Sequence, residues 1–215
     1  MVAPSVTRLP GPVVRVADRD AAGVPGHDEI LPLSAPLSDV LSAEFDGALA
    51  SLGVTADALL LAALGRAVAR TLGTGVITVD IADGDFAGGA VSLYCTSPEE
   101  ADANTALLDA EHLLALSSTQ SGEVLAAAEV ALSPTGAAPV KLSATRTLQL
   151  CASRHPAEEG GILQLDWWYD SRRFDGYTVE ELAEQFGLAL VGLCSEAVGP
   201  LHGCDTTAAN LAFVG

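Results

Sequence analysis

The sequence predicts an α/β protein of the mixed α+β kind, in which helices cover a layered, mixed β-sheet. A segment with strand periodicity, followed by one with helical periodicity, occupies residues 161–197. Two helices are predicted between residues 38 and 73, and a β-branched run follows them at 76–81. Helices and strands in this order indicate a sheet with helices packed against it.

The clearest strand lies at residues 162–170, where apolar and polar side chains alternate. One side of this strand carries Leu163, Leu165, Trp167 and Tyr169. A turn at 171–177 then leads into a helix, for which Thr178 and Glu181 predict a capping box. Apolar residues recur along that helix at a spacing that predicts one face lying on a sheet.

Earlier in the chain, capping residues set the bounds of two predicted helices. The first begins after Ser38 and ends at Gly53, and the second begins after Thr55 and ends at Gly73. The apolar run at 76–81 is typical of a strand buried on both faces, and we expect it to be central in the sheet.

The remaining elements follow from weaker patterns. They are a strand at 90–95, a helix at 98–116, a short helix at 122–132, and a strand at 140–151 that pairs with 162–170 across a loop at 153–161. Residues 1–27 are rich in Pro and Gly and predict an extended, loosely attached lead-in with one short strand at 13–16. Residues 28–215 are expected to form the folded part.

Composition excludes several classes of function. The chain has 215 residues, of which 49% are hydrophobic, so it can bury a core. A formal charge of −18 with only ten Lys and Arg argues against nucleic acid and against anionic membranes. The four cysteines lack metal-ligand spacing, so no metal or cofactor is expected. With no apolar run near the spanning length and no signal-peptide pattern at the N-terminus, we expect a cytoplasmic protein.

Residues 165–186, which read Leu-Asp-Trp-Trp-Tyr-Asp-Ser-Arg-Arg-Phe-Asp-Gly-Tyr-Thr-Val-Glu-Glu-Leu-Ala-Glu-Gln-Phe, carry a family resemblance. The run resembles the end of condensation and epimerization domains of nonribosomal peptide synthetases, nearer the epimerization branch. Three further stretches match these families in the same order: the helix at 59–73, the Ser92-Leu-Tyr94 strand and the tail at 203–215. The resemblance covers roughly residues 30–215 and implies a single chloramphenicol-acetyltransferase-like lobe.

The same resemblance implies a missing half. Family members have two lobes, and their H-H-x-x-x-D-G motif lies in the N-terminal lobe, whereas this chain is similar to the C-terminal lobe and contains no paired histidines. Its four histidines, His27, His112, His155 and His202, are expected to be solvated. The epimerization motif E-G-H-G-R-E is replaced after residue 81 by Ala-Asp-Gly-Asp-Phe.

Several residues are candidates for a site. Asp83 and Asp85, which flank Gly84 after the strand at 76–81, favour a turn but could act as paired acid and base. Ser92 and Tyr94 are candidates for lining a substrate tunnel, although packing in the sheet explains them as well. Trp168 lies on the polar side of its strand, so we expect it either beneath a helix or at an interface.

The leading hypothesis is a half domain of condensation or epimerization type that lacks its own catalytic histidine. It would pair with an N-terminal lobe or with a second copy of itself, and its substrate would be held on a phosphopantetheinyl carrier protein. An acidic carrier would have to contact local basic pairs, namely Arg66 with Arg70 or Arg172 with Arg173. Two alternatives remain open: a non-catalytic scaffold or small-molecule binder that keeps the fold, and an acyltransferase with an unrelated site.

Overall fold

The computed structural model describes residues 12–117, 127–157 and 160–201. Their strands are β1 (Ile30–Ser34), β2 (Gly75–Ile81), β3 (Ala90–Cys95), β4 (Val130–Ser133), β5 (Leu148–Ala157) and β6 (Gly160–Asp170). Their α-helices are α1 (Asp39–Leu52), α2 (Ala56–Thr71), α3 (Ala103–Ser117) and α4 (Gly176–Glu196), and a short 3-10 helix occupies His27–Glu29. The mixed α/β class predicted from the sequence is confirmed.

The six strands form one mixed sheet in the order β1-β6-β5-β4-β2-β3. Strand β4 pairs in parallel with both β2 and β5, and the other pairs are antiparallel. The antiparallel pairing of β5 with β6 was predicted, and it sets Leu150 opposite Trp167.

All four α-helices pack on one face of this sheet, which we call the helix-covered face. Trp167 of β6 meets Phe186 of α4 edge-on with ring centroids 5.5 Å apart, and Gly65 of α2 lies against Leu93 of β3. Alternation along each strand puts the other side chains on the opposite side. This open face carries Val76, Thr78, Asp80, Ser92, Tyr94, Ser133, Gln149, Cys151, Gln164, Asp166 and Trp168.

The predicted ends of α1 and α2 are confirmed. The hydroxyl of Ser38 accepts a hydrogen bond from the Leu41 N–H, and that of Thr55 accepts one from Ala58. Gly53 ends α1 at φ +69°, a left-handed conformation that suits glycine.

Three sequence predictions about the sheet are wrong. Residues 122–126 of the helix predicted at 122–132 lie outside the described residues, but 130–132 belong to strand β4, whose four residues are all buried. Because β4 inserts between β2 and β5, β2 is fifth in the order rather than central. Strand β2 is also fully buried on only one side, since Thr78 and Asp80 remain half-buried on the open face.

Other predicted bounds shift. Strand β5 begins at Leu148 rather than at residue 140, and it continues to Ala157 through the predicted loop. The helix predicted at 98–116 begins at Ala103.

The described part of the lead-in is firmly attached, contrary to the expectation of a loose segment. Val16 is fully buried, and Val13 forms a parallel bridge to Val76 of β2 instead of a full strand. Asp18 accepts hydrogen bonds from the Asp175 N–H and the Thr178 hydroxyl. The start of α4 is therefore bound by the lead-in and not by the predicted capping box, since Thr178 lies inside the helix.

No single helix within the described ranges is long and apolar enough to span a membrane; helices α1 and α2 pass that test only as a pair bent by 114°.

Candidate functional site

Three of the sequence-predicted site residues lie on the open face of the sheet. Ser92 and Tyr94 project from β3, and Trp168 projects from β6; all three are partly buried. Strands β2, β4 and β5 lie between β3 and β6, which separates the two groups by about 19 Å at ordinary strand spacing. They share a surface without forming one compact pocket.

The middle of the open face is covered by the connection between β4 and β5. In that connection the Lys141 N–H donates to the Gln149 side chain at 3.0 Å, and Arg146 forms an ion pair with Asp80 of β2. Gln149 is consequently almost fully buried although no helix covers it. Two patches stay partly exposed, one on β2 and β3 and the other on β6.

Asp83 fixes this connection. Its carboxylate accepts hydrogen bonds from the Ser133 hydroxyl at 2.6 Å and from the N–H groups of Thr135 and Ala138 at 3.1 and 2.7 Å. Burial alone would raise the pKa of Asp83, but these hydrogen bonds outweigh it and lower the pKa. Asp83 is therefore ionised at neutral pH, and its carboxylate is already engaged by three hydrogen bonds. The Asp85 side chain, in contrast, is exposed.

Asp57, which the sequence did not single out, lies on the other side of the same loop. Its side chain is 5% exposed, its Oδ2 lacks a hydrogen-bond partner, and a Cβ on Gly84 would come within 2.7 Å of that oxygen. Burial, followed by the nearby charge of Asp85, raises the pKa of Asp57. Gly84, at φ +88°, thus lets the loop close over a buried carboxyl.

No described histidine is placed to act as a base inside this chain. His27, His112 and His155 are exposed, and His202 lies outside the described residues. His155 does reach the open face, at the end of the β5–β6 hairpin, where its Nε2 is 3.3 Å from the Ser153 hydroxyl. The predicted strand ended at residue 151, so the sequence analysis did not place His155 on this face. Alternation along the full strand β5, which continues to Ala157, predicts that placement.

Three of the four arginines proposed for carrier contact are held by carboxylates, and Arg70 is the exception. Arg66 is 2% exposed and lies 3.6 Å from Glu196, contrary to the outward orientation expected from the sequence. Arg172 and Arg173 both contact the fully buried Asp170. Arg70 is exposed and donates to Gln185.

A metal site has no support in the part of the chain that the structure describes, because no three His, Cys, Asp or Glu side chains are placed to hold an ion. Burial raises the pKa of the Cys151 thiol, which lies on the open face beside Gln149. A protonated thiol is a poor nucleophile.

Comparison with known proteins finds a relative among the polyketide synthases. No family model matches the sequence. The chain is 31% identical over 226 residues to a component of the phenolphthiocerol/phthiocerol polyketide synthase of Mycobacterium tuberculosis and of Mycobacterium bovis. The match covers 83% of this chain but only 15% of that much longer protein.

Solved structures share the fold at low sequence identity. The epimerization domain from the third module of tyrocidine synthetase B superposes with a TM-score of 0.62 at 14% identity, over 88% of this chain and 52% of that one. A condensation domain that mediates chain release from the enacyloxin polyketide synthase gives 0.56 at 15% identity, over 91% and 47%. A probable dihydrolipoamide acetyltransferase from Listeria monocytogenes gives 0.54 at 11% identity, over 82% and 88%.

Proposed function

Because this chain has the fold of condensation and epimerization domains and spans about half of each, we propose that it forms one side of a two-lobed reaction cleft. The other side is a second lobe that carries the catalytic histidine, either as a separate N-terminal lobe or as a second copy of this fold. The substrate is an acyl or peptidyl thioester on a phosphopantetheinyl carrier, within polyketide or nonribosomal peptide synthesis.

The observation that carries this proposal is the open face. The four α-helices of the described residues lie on the opposite side, and the open face keeps Thr78, Ser92 and Tyr94 partly exposed near one edge and Trp168 near the other. A sheet face with a partly exposed tryptophan near one edge and partly exposed hydroxyl groups near the other suits a surface that another body covers. In this arrangement the hydroxyls of Ser92 and Tyr94 orient the substrate.

The second lobe supplies the base. During acyl transfer an amine attacks the thioester carbonyl, the carbon–sulfur bond breaks and the pantetheine thiol leaves, while the base accepts the amine proton. During epimerization the same base removes the proton at the α-carbon, and a proton then returns to that carbon from the opposite face. No described histidine of this chain is buried or held for either step.

Carrier contact falls mainly on the second lobe. This chain has a formal charge of −18, and Arg66, Arg172 and Arg173 are held in ion pairs. An acidic carrier is repelled by such a surface. The cytoplasmic location expected from the sequence is part of the same proposal.

Acyl-pantetheine thioesters test this function without a carrier. With an amino acid amide supplied as the amine acceptor, the thiol released from the acyl thioester is measured for this chain alone, for a lobe with the H-H-x-x-x-D-G motif alone, and for their mixture. Inversion at the α-carbon of a peptidyl-pantetheine thioester is followed in the same three samples, because epimerization releases no thiol. We expect turnover only in the mixture and its loss in Ser92→Arg, which puts a long cation on the open face. Ala50→Arg, on the exposed side of α1, is the matched control and keeps turnover.

Turnover by this chain alone at the rate of the mixture would refute the proposal. A mixture that forms a complex without any turnover would instead support the second candidate, a non-catalytic scaffold or small-molecule binder.

The second candidate is favoured by one specific observation, which is that Asp83 is occupied in holding the β4–β5 connection. Asp85 is exposed, so it can be changed without disturbing those bonds. Asp85→Asn therefore tests whether an active cleft uses this carboxylate: turnover falls if it does, whereas a scaffold keeps its binding and the mixture shows no turnover with or without the substitution. Asp83→Asn is less informative because it also removes a charge that three hydrogen bonds stabilise.

A further inference from the structure

A groove of about 550 Å³ lies on the helix-covered side, between α4 and the chain that joins β1 to α1. We call it the α4 groove. Leu165 of β6 forms its floor, Leu37 and Leu41 form one side, and Leu188 and Val191 of α4 form the other. Its size falls within the range of natural ligand sites. The open face of the sheet plays no part in it.

The sides of the α4 groove are apolar, and one of them is hydrogen-bonded to the sheet. The Ala35 and Leu37 N–H groups donate to carbonyls of β6 at 2.8 and 3.0 Å, which holds the joining segment beside the sheet. Leu188 is 56% exposed and Val191 37% exposed, so two large apolar side chains of α4 remain in water. Such side chains grouped in a groove indicate a surface that a partner covers.

Gly187 keeps the α4 groove open. It lies in the middle of α4, where glycine is less favourable than alanine. A Cβ at this position would meet no atom within 4 Å, so packing within the described chain does not require glycine there. Gly187 lines the groove, and a side chain introduced at residue 187 would enter the space between the two sides.

The negative charge on the rim of the α4 groove favours a positively charged binding partner. Glu180 and Glu184 stand one helical turn apart on the rim, both are exposed, and neither forms an ion pair with another described residue. A second copy of this chain, with its formal charge of −18, would be repelled by these two glutamates, and so would the carboxylate of a fatty acid. Lysine or arginine beside an apolar ridge complements this rim.

We propose that the α4 groove binds an amphipathic helix of a partner protein, with leucine-like residues along the groove and basic residues against Glu180 and Glu184. This is helix-in-groove recognition. It is independent of the proposed function, because the groove lies on the opposite side of the sheet from the open face. Docking there leaves the open face free for a second lobe.

The test uses labelled model peptides and the full chain. One peptide of about four helical turns carries a leucine face flanked by lysines, and a second replaces every lysine by glutamate. Fluorescence anisotropy should detect binding of the lysine peptide only. Gly187→Phe should weaken it by about tenfold or more, because the ring occupies the groove. Gly47→Phe is the matched control, since Gly47 is also a helical glycine with no atom near its Cβ and lies on the exposed face of α1.

A charge variant tests the rim separately. Glu180→Gln with Glu184→Gln should weaken the lysine peptide and reduce the salt dependence of its binding. Asp28→Asn with Glu99→Gln makes the same change in net charge at exposed residues that do not line the groove and should leave binding unchanged. Circular dichroism and urea unfolding establish that each variant is folded.

Three outcomes would overturn the proposal. The first is equal binding of the lysine peptide to wild type and a folded Gly187→Phe variant. The second is a wild-type dimer in sedimentation that Gly187→Phe dissociates, which would make a second copy the occupant. The third is tighter peptide binding after removal of residues 1–11, which contain Arg8 and would then be the natural occupant.

Discussion

Replacing Asp170 by asparagine should destabilise this protein strongly. Asp170 ends β6 with no exposed surface, and its carboxylate contacts Arg172 Nη2 at 2.7 Å and Arg173 Nε at 3.6 Å. Arg172 also donates to the carbonyls of Ala22 and Gly23, so this one carboxylate helps to hold the lead-in against the turn before α4.

The magnitude follows from burial. Removing one partner of a fully buried ion pair costs about 3–5 kcal/mol because a charge is left unpaired. The side chains of Arg172 and Arg173 are 23% and 17% exposed, so water compensates part of that loss, and we expect about 2–4 kcal/mol. With a urea m-value of about 2 kcal/mol per molar, the unfolding midpoint should fall by about 1–2 M.

The control is Asp20→Asn, whose partner Arg15 lies at the surface and whose own side chain is 96% exposed. Its midpoint should not change measurably. If Asp170→Asn shifts the midpoint no more than this control, Arg172 and Arg173 are not held by Asp170, and their availability to an acidic carrier returns as an open proposal.

The contact of Asp170 with Arg172 should also make the stability of the protein depend on pH in acid. Burial raises the pKa of Asp170, but the hydrogen bonds and charge of Arg172 outweigh it and lower the pKa below that of the unfolded chain. A lowered folded pKa contributes stability that is complete above the unfolded value and is lost as pH falls through the folded value. The difference in the free energy of unfolding between wild type and Asp170→Asn should therefore become smaller only in strong acid, where the Asp170 carboxylate is protonated.

The remaining predictions concern other buried groups. Burial raises the pKa of Asp57 in the folded state, so this carboxyl favours folding in acid and opposes it as pH rises through the folded pKa. The free energy of unfolding of Asp57→Asn relative to wild type should thus increase from pH 4 to pH 7, and a constant difference in urea titrations would contradict this. Burial also raises the pKa of Cys95 to about 12 and that of Cys194 to about 11. Neither thiol should react with iodoacetamide at pH 7 until urea unfolds the chain, and mass spectrometry of early labelling on either residue would refute that assignment.

Features set by neighbouring residues were predictable from the sequence. The caps at Ser38 and Thr55 bind N–H groups three residues away, and the alternation along β6 depends on one strand having one buried side. The position of Ser92, Tyr94 and Trp168 on strands followed from the same periodicity. Their location on one shared face needed the order of the sheet, which the missed strand β4 altered.

Features set by distant residues were not predictable. Strand β4 is buried among other strands and shows no alternation, and the alanines at 126–128, just before it, made the stretch resemble a helix. Asp83 was predicted as half of a carboxylate pair, yet its partners lie 50 to 55 residues further along the chain. Arg66 was expected in water because helical spacing does not show which helices pack around it.

The sequence by itself determined the class of fold and most of its elements, because helix caps and strand alternation act over a few residues. Only the tertiary structure decided which surfaces stay free. The open face and the α4 groove exist because helices pack on one side of the sheet and leave a gap beside β1, and that arrangement depends on contacts between segments more than a hundred residues apart, such as Ser42 with Leu163.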